Sequence, residues 1–404
     1  MFTTREKMFF VSGRSFFIKM PTGLTIMLKI NAAQFKKLLA SQSVYKKNII
    51  PEIEDKFIQE IPVKGRYFYA IKNSPEITTA QCALIEKILS QIEINNSAFA
   101  FVPKRSYLDF FTIHIGNYNF VRLDIKNFFH SIDLKKLEKM LSVYFENEFI
   151  DTDKDQLIIK SFMNLVTYKI PLASKNTTEK GNTILPIGFP TSPIISNIYM
   201  RDFDIKIQEF CARHNIQYSR YADDMLFSSK KDSDFVFSET FMKEVAILLS
   251  LKGLHLNTKK TIKRKHTISL NGYTLSNSNP TIKETSPHFE FRISNKKIST
   301  LKKFIFLTKN VNISSREIME KVFSFNIKKQ KFRYPPKKKF IESYCKTLLV
   351  NKIIGYRSYI IAILKHSEKH QACNDSTIEK YKLLLSELDF YLDKNPPEDF
   401  SKTL

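Results

Sequence analysis

Apolar residues recur along this chain with two different periods, and the switches between them mark its elements. In ITTAQCALIEKILSQIEI, Ile77, Leu84, Ile85, Ile88, Leu89 and Ile92 return at helical spacing, which predicts a helix over 76–95. A similar pattern predicts helix over 30–60. YNFVRLDI, ending at Ile125, is an apolar run of strand length, and helices are expected over 134–145 and 154–168. The polar loop SKNTTEKGNT leads through LPIGFPTSP to a helix over 194–214. IQYSRYADDMLFSS alternates as two strands joined by a tight turn at the acidic pair. A helix over 235–251, a short strand near Thr261 and a turn or strand at NGYTLSN follow. Beyond Asn295 the pattern is helical, broken by YPP at 334–336. The middle of the chain therefore reads as α+β and the last quarter as α.

Composition narrows the class. The chain has 404 residues, 43% hydrophobic and 26% charged, which excludes wholesale disorder. That length suits two or three subdomains, and with nine glycines and no Gly/Ser- or Pro-rich linker they are expected to fold against one another. No run approaches the ~18 consecutive apolar residues of a membrane span. The N-terminus lacks a secretory signal pattern, and the four scattered cysteines form no CxxC pair. A cytoplasmic protein without a membrane partner is expected.

Charge adds a direction. Lys and Arg number 64 against 40 Asp and Glu, a net of +24. Half of that excess, fifteen basic against three acidic residues, lies between Lys296 and Lys346; after His366 the balance reverses to five against eight. Phe304, Phe306, Phe323, Phe325, Phe332 and Tyr334 interleave with the basic residues, a combination suited to tracking a phosphate backbone.

The acidic residues carry the chemistry. Asp223 and Asp224 sit at the predicted hairpin tip between aromatic and apolar flanks, and Asp124 ends another apolar strand. If the strands are neighbours, the three carboxylates converge and repel unless cations compensate them. Hard oxygen donors of this kind suit Mg²⁺, and two ions roughly 3.5–4 Å apart can activate a hydroxyl and stabilise a leaving pyrophosphate. Taken alone, Asp124 reads by default as a helix N-cap before Ile125–Phe129.

With these motifs in place the chain resembles the reverse transcriptases, and among them the bacterial retron-like and phage-defence-associated enzymes. YADD resembles their catalytic hairpin, VRLDIKNFFHSI their first catalytic strand, LPIGFPTSPIISN the glycine loop and helix, KGLHLNTKKT the lysine motif and NGYTLSN the primer-grip turn. Arg66, Gln81 and AFAFVPKRS through His114 resemble the fingers of this branch. The resemblance covers residues 60–365. It implies a right-hand polymerase fold: an N-terminal helical extension over 1–60, fingers over 61–120, a palm with an antiparallel sheet over 121–280 carrying a fingers insertion near 145–190, a helical thumb over 281–370, and a C-terminal helix and tail over 371–404.

The resemblance also assigns roles. Asp124, Asp223 and Asp224 would hold two Mg²⁺ ions, with Mn²⁺ as a substitute and the Ile125 main chain beside them. Ile125 would lend its backbone N–H to the triphosphate, Phe129 would gate against a 2′-hydroxyl, and Gly188 and Arg66, with Lys64 less central, would complete the dNTP site. Lys260, with Lys259 as competitor, would face the leaving pyrophosphate. Arg333, Lys337, Lys338 and Lys339 would contact nucleic acid. Two departures stand out. Ile187 occupies the position where the family usually has Gln, and FFTIH and LNG replace retron patterns, which points toward the defence-associated group. The implied activity is RNA-directed DNA synthesis from dNTPs on a non-coding RNA template, with an RNA–DNA hybrid bound, in antiviral defence. The alternatives are a template-independent or protein-primed polymerase of this fold and a catalytically silent RNA-binding protein. The helix beginning near Asn374 is expected to pack on the thumb, with a homo-oligomer or effector-protein contact as the other use of its apolar face.

Overall fold

The computed structural model describes residues 29–39, 50–63, 65–151, 154–278, 288–310, 312–330 and 336–396, together with positions 332 and 334 and two short strands, β1 (Phe17–Lys19) and β2 (Thr25–Met27). The first half runs α1 (Ala32–Leu39), the hairpin β3 (Ile58–Val63) and β4 (Arg66–Ile71), α2 (Pro75–Lys87), α3 (Tyr107–Thr112), β5 (Asn119–Asp124) and α4 (Leu134–Ser142). Next come β6 (Phe149–Asp151), β7 (Lys154–Leu157), α5 (Ile158–Val166), β8 (Tyr168–Lys169), β9 (Thr183–Ile184) and α6 (Ser192–Arg213). The second half runs β10 (Gln217–Tyr221), β11 (Asp224–Ser229), α7 (Glu239–Leu251), β12 (Ile262–Lys265), β13 (Thr267–Leu270), β14 (Tyr273–Ser278) and β15 (His288–Ile293). Four helices close the chain: α8 (Asn295–Thr308), α9 (Ser315–Phe323), α10 (Lys338–His370) and α11 (Asp375–Lys394).

Short polar caps set where the helices start. Ser74 precedes Pro75 and accepts from the Ile77 amide, and Asp133 accepts from the amides of Lys135 and Lys136. Ser106 and Asp109 form a reciprocal capping box on α3.

The sheet β10–β11–β5–β12 is antiparallel throughout. Because side chains alternate across a strand, it divides the interior in two. Val121, Leu123, Met225 and Phe227 face a core shared with α1, α2 and α4–α7. Phe120 and Leu226 face a second core built with α3, the sheet β13–β14–β15 and helices α8–α11. Phe120, Arg122 and Asp124 share that second face. His114 lies beneath the hairpin, its ring nitrogens 2.6 and 2.8 Å from the hydroxyls of Ser228 and Ser219, and complete burial pushes its pKa down to about 3.

Several expectations change. The helix expected over 30–60 ends at Leu39; residues 40–49 lie outside the described set, and Ile58–Val63 is a strand paired with Arg66–Ile71. An all-helical extension through residue 60 therefore does not hold. Residues 154–157 are strand before α5 begins, and β15 is a strand within the helical thumb expected over 281–370, ahead of the helical run that begins at Asn295 as expected. The break at YPP and the packing of α11 are found as expected: Tyr381, Leu384 and Leu388 are buried, and the Ile293 amide donates to Tyr381 Oη at 2.7 Å. Helix α10 is long and apolar enough, by length and composition alone, to cross a membrane. Its Leu349, Ile353, Ile360 and Ile363 instead fill the second core.

One buried ion pair ties the palm hairpin to α6. Arg220, fully buried on β10, donates to both carboxylate oxygens of Asp204 at 2.9 and 2.6 Å. It also donates to Asn197 Oδ1 and to the Ala222 carbonyl in the hairpin turn, while Tyr218 donates to the same Asp204. Removing one partner leaves an uncompensated buried charge. Asp204→Ala is expected to lower unfolding free energy by about 3–5 kcal/mol, and the paired change Asp204→Leu with Arg220→Met to recover most of the loss, as read by denaturant titration.

Candidate active site

Register brings the acidic residues together. In the β5–β11 ladder Asp124 lies directly opposite Asp224, and the two-residue turn Ala222–Asp223 closes the hairpin with Ala222 in the left-handed region at φ 56°. The Ile125 amide donates to the Asp223 carbonyl at 3.0 Å, so the turn is sewn to the end of β5. Ile125 is bridged to Leu256 and residues 126–131 form turns, not a helix, which removes the N-cap reading of Asp124.

Cations already occupy the space between the carboxylates. Arg122 stands two residues before Asp124 and therefore on its face; its Nη2 donates to Asp124 Oδ2 at 3.2 Å and also bonds Asp224 Oδ1. Lys260 Nζ reaches Asp124 Oδ2 at 3.1 Å, and Asn257 Nδ2 donates to Oδ1 at 3.0 Å. Arg122 Nη1 in turn donates to the Lys260 carbonyl, fixing the turn from which Lys260 points. Asp124 is 2% exposed and Asp224 16%, so these contacts act where water screens them poorly. Burial, then the neighbouring Asp124 charge, raises the Asp223 pKa. Burial pushes Asp224 to about 6 against the opposing pull of Arg122, with Asp223 adding to the rise.

The other predicted residues fall at different distances from this cluster. Arg66 opens β4 and is exposed; its charge lowers the pKa of both Asp223 and His130. Gly188 has φ +115°, and a Cβ there would lie 2.7 Å from the Tyr69 carbonyl on β4. The Tyr69 amide donates to the Ile187 carbonyl at 2.7 Å, so the loop docks by its backbone on the strand that carries Arg66. Phe129 is half-buried, with its ring 5.2 Å from that of Phe128 and 6.3 Å from that of Phe101. Neither Gly188 nor Phe129 bonds a carboxylate. The expectation that the Ile125 N–H serves a triphosphate does not hold, because that N–H is committed to Asp223.

Three further residues belong here that the sequence reading did not name. Arg122 was legible from strand periodicity, as the i−2 neighbour of Asp124. Asn257 was not, because its approach depends on how the chain after α7 packs on β5. His130, with Nε2 buried and without a hydrogen-bond partner, sits against Tyr69 at 5.8 Å between centroids; it follows Phe129 but carries no sequence signal of its own.

In the basic segment, Lys337 precedes α10 and Lys338 and Lys339 lie in its first turn, all three exposed. Arg333, like Lys64, lies outside the described residues. The interleaved aromatics divide. Phe304 is fully buried, Phe323 faces Tyr356, and Phe325 and Phe332 face Tyr344. Phe306 and Tyr334 are 73% and 70% exposed. Most of the set therefore serves the core, and two of the six face outward.

The sequence family described as reverse transcriptase (RNA-dependent DNA polymerase) matches residues 75–275, about half the chain. The retron Ec83 reverse transcriptase of Escherichia coli is 29% identical over 262 residues, 62% of this chain and 80% of that protein. The retron Ec73 reverse transcriptase of Escherichia coli is 32% identical over 161 residues, 39% of this chain and 47% of that protein. Among solved structures, telomerase from Candida albicans in complex with a TWJ fragment of telomeric RNA aligns with 91% of this chain and 69% of that one, at 13% identity and a TM-score of 0.39. The departures at Ile187, FFTIH and LNG coexist with the retron similarity.

The carboxylate cluster has a measurable consequence without any substrate. A carboxyl whose pKa rises on folding destabilises the folded state above that pKa, because the unfolded chain ionises more readily; the penalty vanishes below the unfolded value. For Asp224, moved from 3.8 to about 6, the cost at neutral pH is on the order of 2–3 kcal/mol. Asp224→Asn should therefore raise the melting temperature at about pH 7.5, with the gain shrinking as pH falls through about 6 and vanishing near pH 3. Thermal unfolding of both proteins across that range checks it.

Proposed function

The chain belongs to the reverse transcriptase (RNA-dependent DNA polymerase) family, and from that premise we propose that Asp124, Asp223 and Asp224 are its catalytic carboxylates. In this reading the enzyme copies a non-coding RNA into DNA from dNTPs, in the cytoplasm and in the service of bacterial antiviral defence. The observation that carries the assignment is the register that sets Asp224 opposite Asp124, with Arg122 and Lys260 drawn onto the resulting negative charge.

The donor set fits two hard divalent ions, Mg²⁺ or its substitute Mn²⁺. Three carboxylates cluster here, and Asp223 and Asp224 have pKa values raised by burial and by neighbouring carboxylates, a penalty that divalent charge would remove. Asp124 and Asp223 would be the ligands, with the Ile125 carbonyl beside them and Asp224 supporting the primer end. When bound, such ions activate the attacking 3′-hydroxyl and offset charge on the departing pyrophosphate.

The protein's own groups position and discriminate. Lys260 is 42% exposed at the side chain and sits on a flexible stem, so once divalent charge holds Asp124 its ammonium can turn to a triphosphate. Arg66 supplies a second cation from β4, and the Gly188 loop fixes that strand through Tyr69. Phe129, held between Phe101 and Phe128, presents its outward face as the gate against ribose. Catalysis of this kind is positioning and electrostatics rather than covalent chemistry.

The start of α10 supports nucleic-acid binding. Lys337, Lys338 and Lys339 stand at a helix N-terminus, where the macrodipole disfavours each cation by about 0.3–1 kcal/mol. A phosphate resolves that conflict and also takes up the free amides of the first turn. Exposed Phe306 and Tyr334 add stacking surfaces to the same segment. The backbone of an A-form hybrid is the matching ligand, bound by shape rather than sequence.

Two measurements test this reading. Asp223→Asn should abolish Mg²⁺-dependent dNTP incorporation on an RNA template while RNA affinity stays within about twofold; undiminished incorporation would end the assignment. Phe129→Ala should admit ribonucleotides, raising the ratio of rNTP to dNTP kcat/KM by at least ~10-fold. An unchanged ratio would return Phe129 to the core.

A further inference from the structure

Outside the palm, the last turn of α10 meets α3 through a carboxylate and two imidazoles. Asp109 Oδ1 lies 3.8 Å from His366 Nδ1 and 3.8 Å from His370 Nε2. One ligand atom from each residue falls within 4.8 Å of the others. The two histidines are an i, i+4 pair on one helix face, with ring centroids 4.5 Å apart.

Hydrogen bonding fixes where the protons are. With Thr112 Oγ1 donating to the Leu108 carbonyl at 3.2 Å, its 3.1 Å contact with His366 Nε2 is satisfied by the tautomer in which that nitrogen donates. His366 Nδ1 then carries a lone pair, and it is aimed at a carboxylate oxygen. The second oxygen of Asp109 accepts from the Ser106 amide and hydroxyl at 2.7 and 2.8 Å, which orients Oδ1 toward the histidines. His370 Nε2 is buried and has no hydrogen-bond partner. Two imidazole nitrogens each 3.8 Å from one carboxylate oxygen, all three atoms within 4.8 Å of one another, are a donor set that a cation between them would satisfy.

We propose that Asp109 Oδ1, His366 Nδ1 and His370 Nε2 form a binding site for a transition-metal ion of the zinc class, with water as the fourth ligand. Imidazole nitrogen with one carboxylate suits Zn²⁺ and not Mg²⁺, which takes oxygen donors. Tetrahedral Zn²⁺ at ~2.0–2.1 Å from each donor sets neighbouring donors ~3.3–3.4 Å apart, so the site closes by side-chain movement from 3.8 Å at the two Asp109 contacts and from within 4.8 Å overall. Thr112 is the partner that fixes the tautomer of His366. The ion would fasten the end of α10 to α3, which packs under the hairpin strand β10.

The test uses untagged full-length protein, stripped of metal and held in excess Mg²⁺ so that oxygen-donor sites are filled. Zn²⁺ is then added and followed by calorimetry and thermal unfolding, with Co²⁺ absorption in the visible as a report of nitrogen ligation. One equivalent of Zn²⁺ should bind and raise the melting temperature. His370→Ala breaks no hydrogen bond and should fold normally, yet lose Zn²⁺ affinity by at least ~100-fold, since removing even an outer-shell partner costs 10–100-fold. Asp109→Asn should weaken binding likewise. Equal Zn²⁺ binding by wild type and His370→Ala, or none by either, would overturn the site and leave a histidine–aspartate ion pair.

Discussion

Three carboxylates confined to the junction of two paired strands repel one another, and much of the surrounding structure compensates for that repulsion. Arg122 is placed by strand periodicity on the same face as Asp124 and bridges it to Asp224 across the ladder. Lys260 and Asn257 approach from the turn after α7, Lys260 sharing Asp124 Oδ2 with Arg122 and Asn257 donating to Oδ1. The contacts close on themselves, because Arg122 also holds the Lys260 carbonyl. A cluster arranged this way is stable without divalent ions and has raised pKa values that divalent ions would relieve.

The hairpin that carries two of these residues needs a rigid backing. Arg220 supplies it from the α6-facing side of the sheet, donating to Asp204 and Asn197 on α6 and to the Ala222 carbonyl in the turn. His114, neutral through burial, bridges Ser219 and Ser228 on the two strands of the same hairpin. Ion pair and imidazole are both buried polar groups with their partners satisfied, the condition under which such groups specify geometry rather than weaken a core.

Much of this was legible in the sequence because it obeys local rules. Strand β5, the acidic hairpin, α6 and the thumb helices follow from period and turn chemistry, and their motifs placed Asp124, Asp223, Asp224 and Lys260 in one site. What stayed hidden depends on distant packing. IQEIPV at β3 is mostly exposed and carries a proline, so it lacks the alternation that announces a strand; only its pairing with β4 makes it one. Asn257 joins the site by a bond spanning 133 residues, and the commitment of the Ile125 amide follows from ladder geometry rather than residue type. The aromatics of the basic segment show the opposite error. Their interleaving with lysine suggested an outward surface, whereas Phe304, Phe323, Phe325 and Phe332 pack inward because a three-helix thumb needs a core of its own.

The net charge of +24 resolves into groups that do different physical work. Arg122 and Arg220 are buried or nearly so and neutralise specific carboxylates. Helix α11 lies along α10, and its Asp389 pairs with Arg357, so the acidic C-terminal segment balances the back of the thumb. No such balance reaches Lys337, Lys338 and Lys339: no acidic residue stands in the first turn of α10, where the helix dipole would favour one. Three exposed cations at the positive end of a 33-residue helix are unfavourable for folding alone. Under the proposed function a polyanion at the helix end would offset that cost, a sharper criterion for the nucleic-acid surface than total charge.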